Sequence, residues 1–242
     1  MQGRPESHMT TDEAVAKLVD ANHILAHERV VDAFGHISMR HPGRPKHFLM
    51  SCSRSPELVA AGDIMEFDSD GEPISANGRQ AYKERFIHSS IYARRPDVGS
   101  VMHNHSYAVV PFTVSKVKLR PVMASTAKIG KVIPVWDIRK KFHATNMLVT
   151  NSAKGDDLAA RLGKNTVVLM RGHGCTVVGA TIYDATLSSI YLQVNAQLQM
   201  DAMRLSPVTY LHDDEIDIIT GKNQDRGGSR AWEYLLARSR KG

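Results

Sequence analysis

Apolar positions along the chain switch between helical and extended spacing, and they outline a series of short elements. Thr10 and Glu13 stand at the separation of a capping box and predict a helix running to about His27. The stretches "HFLMS" and "IMEFD" predict two short strands, with Pro56 in the loop between them, and "SDGEP" predicts a turn. Over residues 81–94 the apolar Phe86, Ile87 and Ile91 recur at helical spacing, and Pro96 follows the end. A strand comes next in "DVGSVMHNHSY". "GKVIPV" predicts another, with Pro134 marking an edge or a bulge. Asn151 or Ser152 caps a helix to Leu162, "TVVLM" is a buried strand, and a long helix covers residues 182–204. A last helical pattern surrounds "RAWEYLLARS". The alternation predicts an α/β fold with a mainly antiparallel central sheet and helices on its faces. The expected organisation is a flexible leader over residues 1–8 and one domain over residues 9–242.

Composition narrows the classes. A chain of 242 residues can bury a substantial core. No apolar run approaches the ~20 residues that span a bilayer, and the N-terminus lacks a signal-peptide core, so no membrane partner is expected. Two cysteines far apart, Cys52 and Cys175, argue against a disulfide framework and for a cytoplasmic protein. The net charge of +6 is scattered and accompanies no nucleic-acid-binding motif, so no nucleic-acid partner is expected; a pocket for an anionic small molecule is the other use of such charge.

The chemistry lies in the histidines. On a strand, His103 and His105 share a face one pleat repeat apart. Such a pair is either half of a metal site or an accident of a wet edge. His173 sits between Gly172 and Gly174 after the buried strand, where the backbone can turn sharply and leave the ring in a cleft. Glu84 stands four residues before His88, which places both on one face of the predicted helix; His88 is expected to support Glu84 or pack on the sheet. Three imidazoles and a carboxylate suit a divalent cation.

The stretches "KERFIHSSIYARRPDVGSVMHNHSYAVV" and "LMRGHGCTVVGATIYDA" resemble the class II aldolase/adducin family, over a span of about residues 18–200. The resemblance implies an αβα sandwich around a mainly antiparallel sheet, and a homotetramer with interfacial active sites. It implies His103, His105 and His173 as metal ligands, and Glu84 as a carboxylate that coordinates the metal or moves a proton. Sugar-phosphate aldolases of the family cradle phosphate with Gly-Asn, a Pro-Ser-Gly loop and Ser-Ser. Here Gly35-His36, Ser51-Cys52-Ser53 and Tyr82-Lys83 stand at those places. His36, Ser51, Ser53, Tyr82 and Lys83 are therefore the expected substrate contacts, and Cys52 is a further pocket candidate. The replacements suit a planar anion carrying carboxylates, with Lys83 pairing a carboxylate and Tyr82 meeting a ring.

Among non-aldolase members the chain looks most like decarboxylases of hydroxylated aromatic dicarboxylates, which implies Mn2+, with Zn2+ or Fe2+ as alternatives. The other readings are an aldolase or epimerase on a small hydroxy-carbonyl substrate, and a non-catalytic adducin-like module.

Overall fold

The computed structural model describes residues 9–221 and 228–241; the expected leader, residues 1–8, lies outside them. The helices are α1 (Thr11–His27), α2 (Phe86–Arg94), α3 (Val110–Val114), α4 (Arg139–Phe142), α5 (Ser152–Leu162), α6 (Ile182–Leu205), α7 (Asp213–Thr220) and α8 (Gly228–Ser239). The strands are β1 (His36–Arg40), β2 (Phe48–Ser51), β3 (Ile64–Phe67), β4 (Ser100–Asn104), β5 (Val135–Trp136), β6 (Val167–Met170) and β7 (Gly174–Gly179). They form a seven-stranded sheet in the order β3-β2-β1-β4-β7-β6-β5. Every pairing is antiparallel except that of β5 with β6.

Helices cover both faces, and the sheet divides its apolar side chains between two cores. Val167 and Leu169 of β6 join Met102 and Val177 in one core, beneath α1, α6 and α8. Val168 and Met170 join Val101 and Val178 in the other, beneath α2 and α5. Burial on both faces explains why "TVVLM" is continuously apolar rather than alternating. The α/β sandwich with a mainly antiparallel sheet is thus the observed architecture. The helix caps follow the sequence: Thr10 and Glu13 form the reciprocal capping box, and the Asn151 side chain accepts from the Lys154 amide.

Several elements differ from the sequence reading. The strand expected over "GKVIPV" shrinks to Val135–Trp136, at the sheet edge. Pro134 has no amide to donate, but its carbonyl accepts from Leu169, so pairing begins only there. The helix expected from residue 81 starts at Phe86. A 3-10 turn, Lys83–Arg85, precedes it, with Glu84 at φ −92° and ψ 19°. β1, β7 and α7 were not anticipated. Among the described residues no helix is long and apolar enough to cross a membrane.

Candidate metal centre

The site forms where β4 ends beside the β6–β7 turn. His103 is the penultimate residue of β4, fully buried within the sheet, and His105 lies just past the strand. β6 and β7 are antiparallel neighbours, and His173 occupies the turn that joins them. Gly172 adopts φ +62°, and a Cβ on Gly174 would stand 2.1 Å from the Asn104 carbonyl oxygen. The glycines flanking His173 thus let the turn close against the end of β4. Glu84 is supplied by its 3-10 turn.

The four side chains converge. The Nε2 atoms of His103 and His105 are 3.1 Å apart, as are those of His173 and His105. Glu84 Oε2 lies 3.6 Å from His103 Nε2 and 3.5 Å from His173 Nε2. One ligand atom from each residue falls within 4.8 Å of all the others, and this is the group of metal-ligand type among the described residues. Ligands about 2.1 Å from a shared ion stand roughly 3.0–3.4 Å apart at ordinary coordination angles, so the nitrogen spacings fit a divalent cation. The hydrogen bonding fits as well. His103 Nδ1 donates to the Cys175 carbonyl at 3.0 Å, which turns an Nε2 lone pair toward the cluster. The Val149 amide donates to Glu84 Oε1 at 2.9 Å and leaves Oε2 facing the histidines.

Electrostatics favour an ionised Glu84 and neutral His103 and His105. Burial alone would raise the Glu84 pKa. The hydrogen bond from His173, the charges of His103 and His173 and the Val149 amide outweigh it and hold the carboxyl well below its usual range. Burial dominates for His103 and His105 and lowers both.

His88 packs on the sheet, one of the two places expected for it, and does not reach the cluster. With Glu84 outside the helix, the two side chains do not share a helical face. Glu84 joins the cluster, whereas His88 packs into the sheet against His36 and Ser38. Burial, then the neighbouring His103, pushes the His88 pKa down to about 3. Burial and His88 push His36 well below its ordinary value. An unfolded chain protonates these rings near pH 6.5, but the folded one does not. Their stabilising contribution is therefore complete above about pH 6.5 and is lost as pH falls, for His88 down to about 3. Each ring removes up to about 1.4 kcal/mol per pH unit. Urea denaturation of the metal-free protein should show a lower midpoint at pH 5 than at pH 7, and His88→Gln should reduce the difference. Equal midpoints in the parent protein would contradict the assignment.

A cavity of about 470 Å³ opens over the cluster. His36, Ser53, Tyr82 and Lys83 line it with Glu84, His103 and His105. Tyr82 donates to the Arg54 carbonyl, and its ring stands 4.6 Å from that of His36. Ser51 does not line the cavity: it is fully buried at the end of β2. Cys52 is also buried, with its thiol directed to Asp63, because the loop turns outward only at Ser53. Cys175 is a packed thiol, pushed by burial up to about 12. Sequence reasoning missed Phe34, Arg54 and Gln80 on the wall. Arg54 directly follows the loop already singled out, and that adjacency was the available signal.

Decarboxylase tropJ of Talaromyces stipitatus is 36% identical over 205 residues, covering 79% of this chain and 77% of that protein. A 3,4-dihydroxyphthalate decarboxylase of Arthrobacter keyseri is 28% identical over 248 residues, covering 97% and 96% respectively. A solved aldolase II superfamily protein from Pseudomonas syringae shares the fold, with a TM-score of 0.79 at 21% identity over 99% of this chain and 95% of that one. The model of the Class II Aldolase and Adducin N-terminal domain matches residues 16–200, more than half of the chain, and the protein belongs to that family.

Proposed function

We propose that the protein is a divalent-metal-dependent decarboxylase of a hydroxylated aromatic dicarboxylate. The observation that carries this reading is the convergence of Glu84, His103, His105 and His173 beneath a cavity whose wall carries Tyr82, Lys83 and Arg54. Similarity to a 3,4-dihydroxyphthalate decarboxylase supports the substrate class. That compound carries a hydroxyl and two carboxylates on consecutive ring carbons. 3-Hydroxy-2-methylpyridine-4,5-dicarboxylate, of vitamin B6 degradation, has the same arrangement and is the substrate proposed. Mn2+ is the proposed cation; imidazole and carboxylate donors accept Zn2+ or Fe2+ as well. The reading includes a homotetramer with interfacial sites, and Phe34, 65% exposed beside His105, is available to such an interface.

A divalent cation held by His103, His105 and His173, with Glu84 beside it, would supply Lewis-acid polarisation of oxygen. The chain's own residues supply the rest. Glu84, held as a carboxylate, accepts the proton of the ring hydroxyl and returns it to the carbon bearing the ortho carboxylate. The bond to that carboxylate then breaks and carbon dioxide leaves. The bonding electrons restore the aromatic ring, and the ring oxygen regains a proton from solvent. Lys83 and Arg54 hold the second carboxylate, which stays on the product.

NMR of products from a substrate panel tests the reading. The protein should release carbon dioxide from both dicarboxylates, remove only the carboxylate ortho to the hydroxyl, and leave the analogue lacking the hydroxyl untouched. Cleavage of fuculose or ribulose phosphates, with no carbon dioxide from the aromatic acids, would replace this reading with an aldolase.

A further inference from the structure

A buried polar chain leads from the cavity into the protein. Strand β1 places His36 and Ser38 two residues apart on one face, and α2 places His88 and Tyr92 four apart on the face that meets it. The two pairs interdigitate. His36 Nδ1 lies 2.7 Å from His88 Nε2, His88 Nδ1 lies 2.6 Å from Ser38 Oγ, and Ser38 Oγ lies 2.8 Å from the Tyr92 hydroxyl. All four residues are buried. Phe48 fixes the arrangement from the side, stacked on His88 with ring centroids 6.2 Å apart and tilted against Tyr92 at 5.4 Å. The chain begins beside the metal centre, because His36 pairs in register with His103.

Hydrogen-bond chemistry gives this chain a direction. A phenol donates more strongly and accepts more weakly than an alkanol, and an imidazole nitrogen accepts better than either oxygen. The strongest arrangement has Tyr92 donating to Ser38, Ser38 donating to His88 Nδ1, and His88 Nε2–H donating to His36 Nδ1. A neutral His36 then carries its one proton on Nε2, the nitrogen outside the chain, and His36 lines the cavity. The opposite direction would leave a lone pair there, facing an anionic substrate. Cooperative polarisation along successive bonds favours one direction throughout.

We propose that Tyr92, Ser38 and His88 are positioning residues that fix His36 as an Nε2–H donor to an oxygen of the anionic substrate. The substrate part of this inference rests on the decarboxylase reading; the tautomer part does not.

The test uses metal-free protein labelled with 15N-histidine at neutral pH, with His36 and His88 assigned from His36→Gln and His88→Gln. Both rings should be protonated at Nε2. Ser38→Ala and Tyr92→Phe each remove one hydroxyl, and both should mix the tautomers at His88 and His36. In the metal-loaded enzyme Ser38→Ala should raise KM for the dicarboxylate about tenfold, the factor that one lost hydrogen bond of ~1.4 kcal/mol gives, with a smaller change in kcat. An Nδ1-protonated His36 in the parent protein, or unchanged tautomers in both variants, would overturn the relay. Shifted tautomers with unchanged KM would overturn the donor role. If no dicarboxylate is turned over, the decarboxylase reading fails, and the tautomers still decide the relay.

Discussion

Replacing Glu84 by glutamine should lower turnover by about two to four orders of magnitude and leave the chain folded. The two side chains are nearly isosteric. The amide oxygen can still accept from the Val149 amide, the hydrogen bond that now holds Glu84 Oε1 at 2.9 Å. The anionic oxygen that faces the histidines is lost, and with it the acceptor for the ring proton. Glu84 is a carboxylate in the resting protein because the His173 hydrogen bond and the nearby rings outweigh its burial. In the proposed mechanism it therefore starts as a base and becomes an acid only after taking the substrate's proton. Kinetics of the variant at full metal occupancy, with circular dichroism as the control for folding, separate these effects. Near-normal turnover in the metallated variant would remove Glu84 from proton transfer.

The second large effect is on the metal itself. His105→Ala, alone and combined with His103→Ala, should bring bound divalent cation from about one per chain to a small fraction and abolish activity with it. His105 is the more informative single site. It is less buried than His103, which is fully enclosed and donates to the Cys175 carbonyl, so removing His105 disturbs the core least. Its Nε2 lies 3.1 Å from both other imidazoles, and losing it opens the middle of the cluster. Elemental analysis after dialysis reads the result. Full occupancy in the double variant would place the cation elsewhere.

Much of this was legible in the chain because the elements that build the site follow local rules. The alternation that predicts His103 and His105 on one side is a property of any strand, and the two rings do meet although β4 itself ends at Asn104. Glycines around His173 marked a turn where the backbone closes tightly, and the structure has such a turn. The capping box at Thr10 depends only on residues three apart. What escaped depends on tertiary contacts. β1 reads "HISMR", in which polar His36 and Ser38 alternate with apolar Ile37 and Met39. His36 and Ser38 are buried there because α2 brings His88 and Tyr92 to satisfy them. Glu84 leaves the helix because its carboxylate is claimed by the Val149 amide and the histidines, from segments distant in sequence. Ser51 and Cys52 share a loop motif with Ser53, but the strand β2 ends at Ser51 and keeps the first two residues inside.

The most direct measurement titrates chelator-stripped protein with Mn2+ and follows carbon dioxide release from 3-hydroxy-2-methylpyridine-4,5-dicarboxylate and 3,4-dihydroxyphthalate. The four-residue centre predicts that release from both rises with added cation and levels off at about one ion per chain. Release at the same rate without metal, or none at any occupancy, would contradict it.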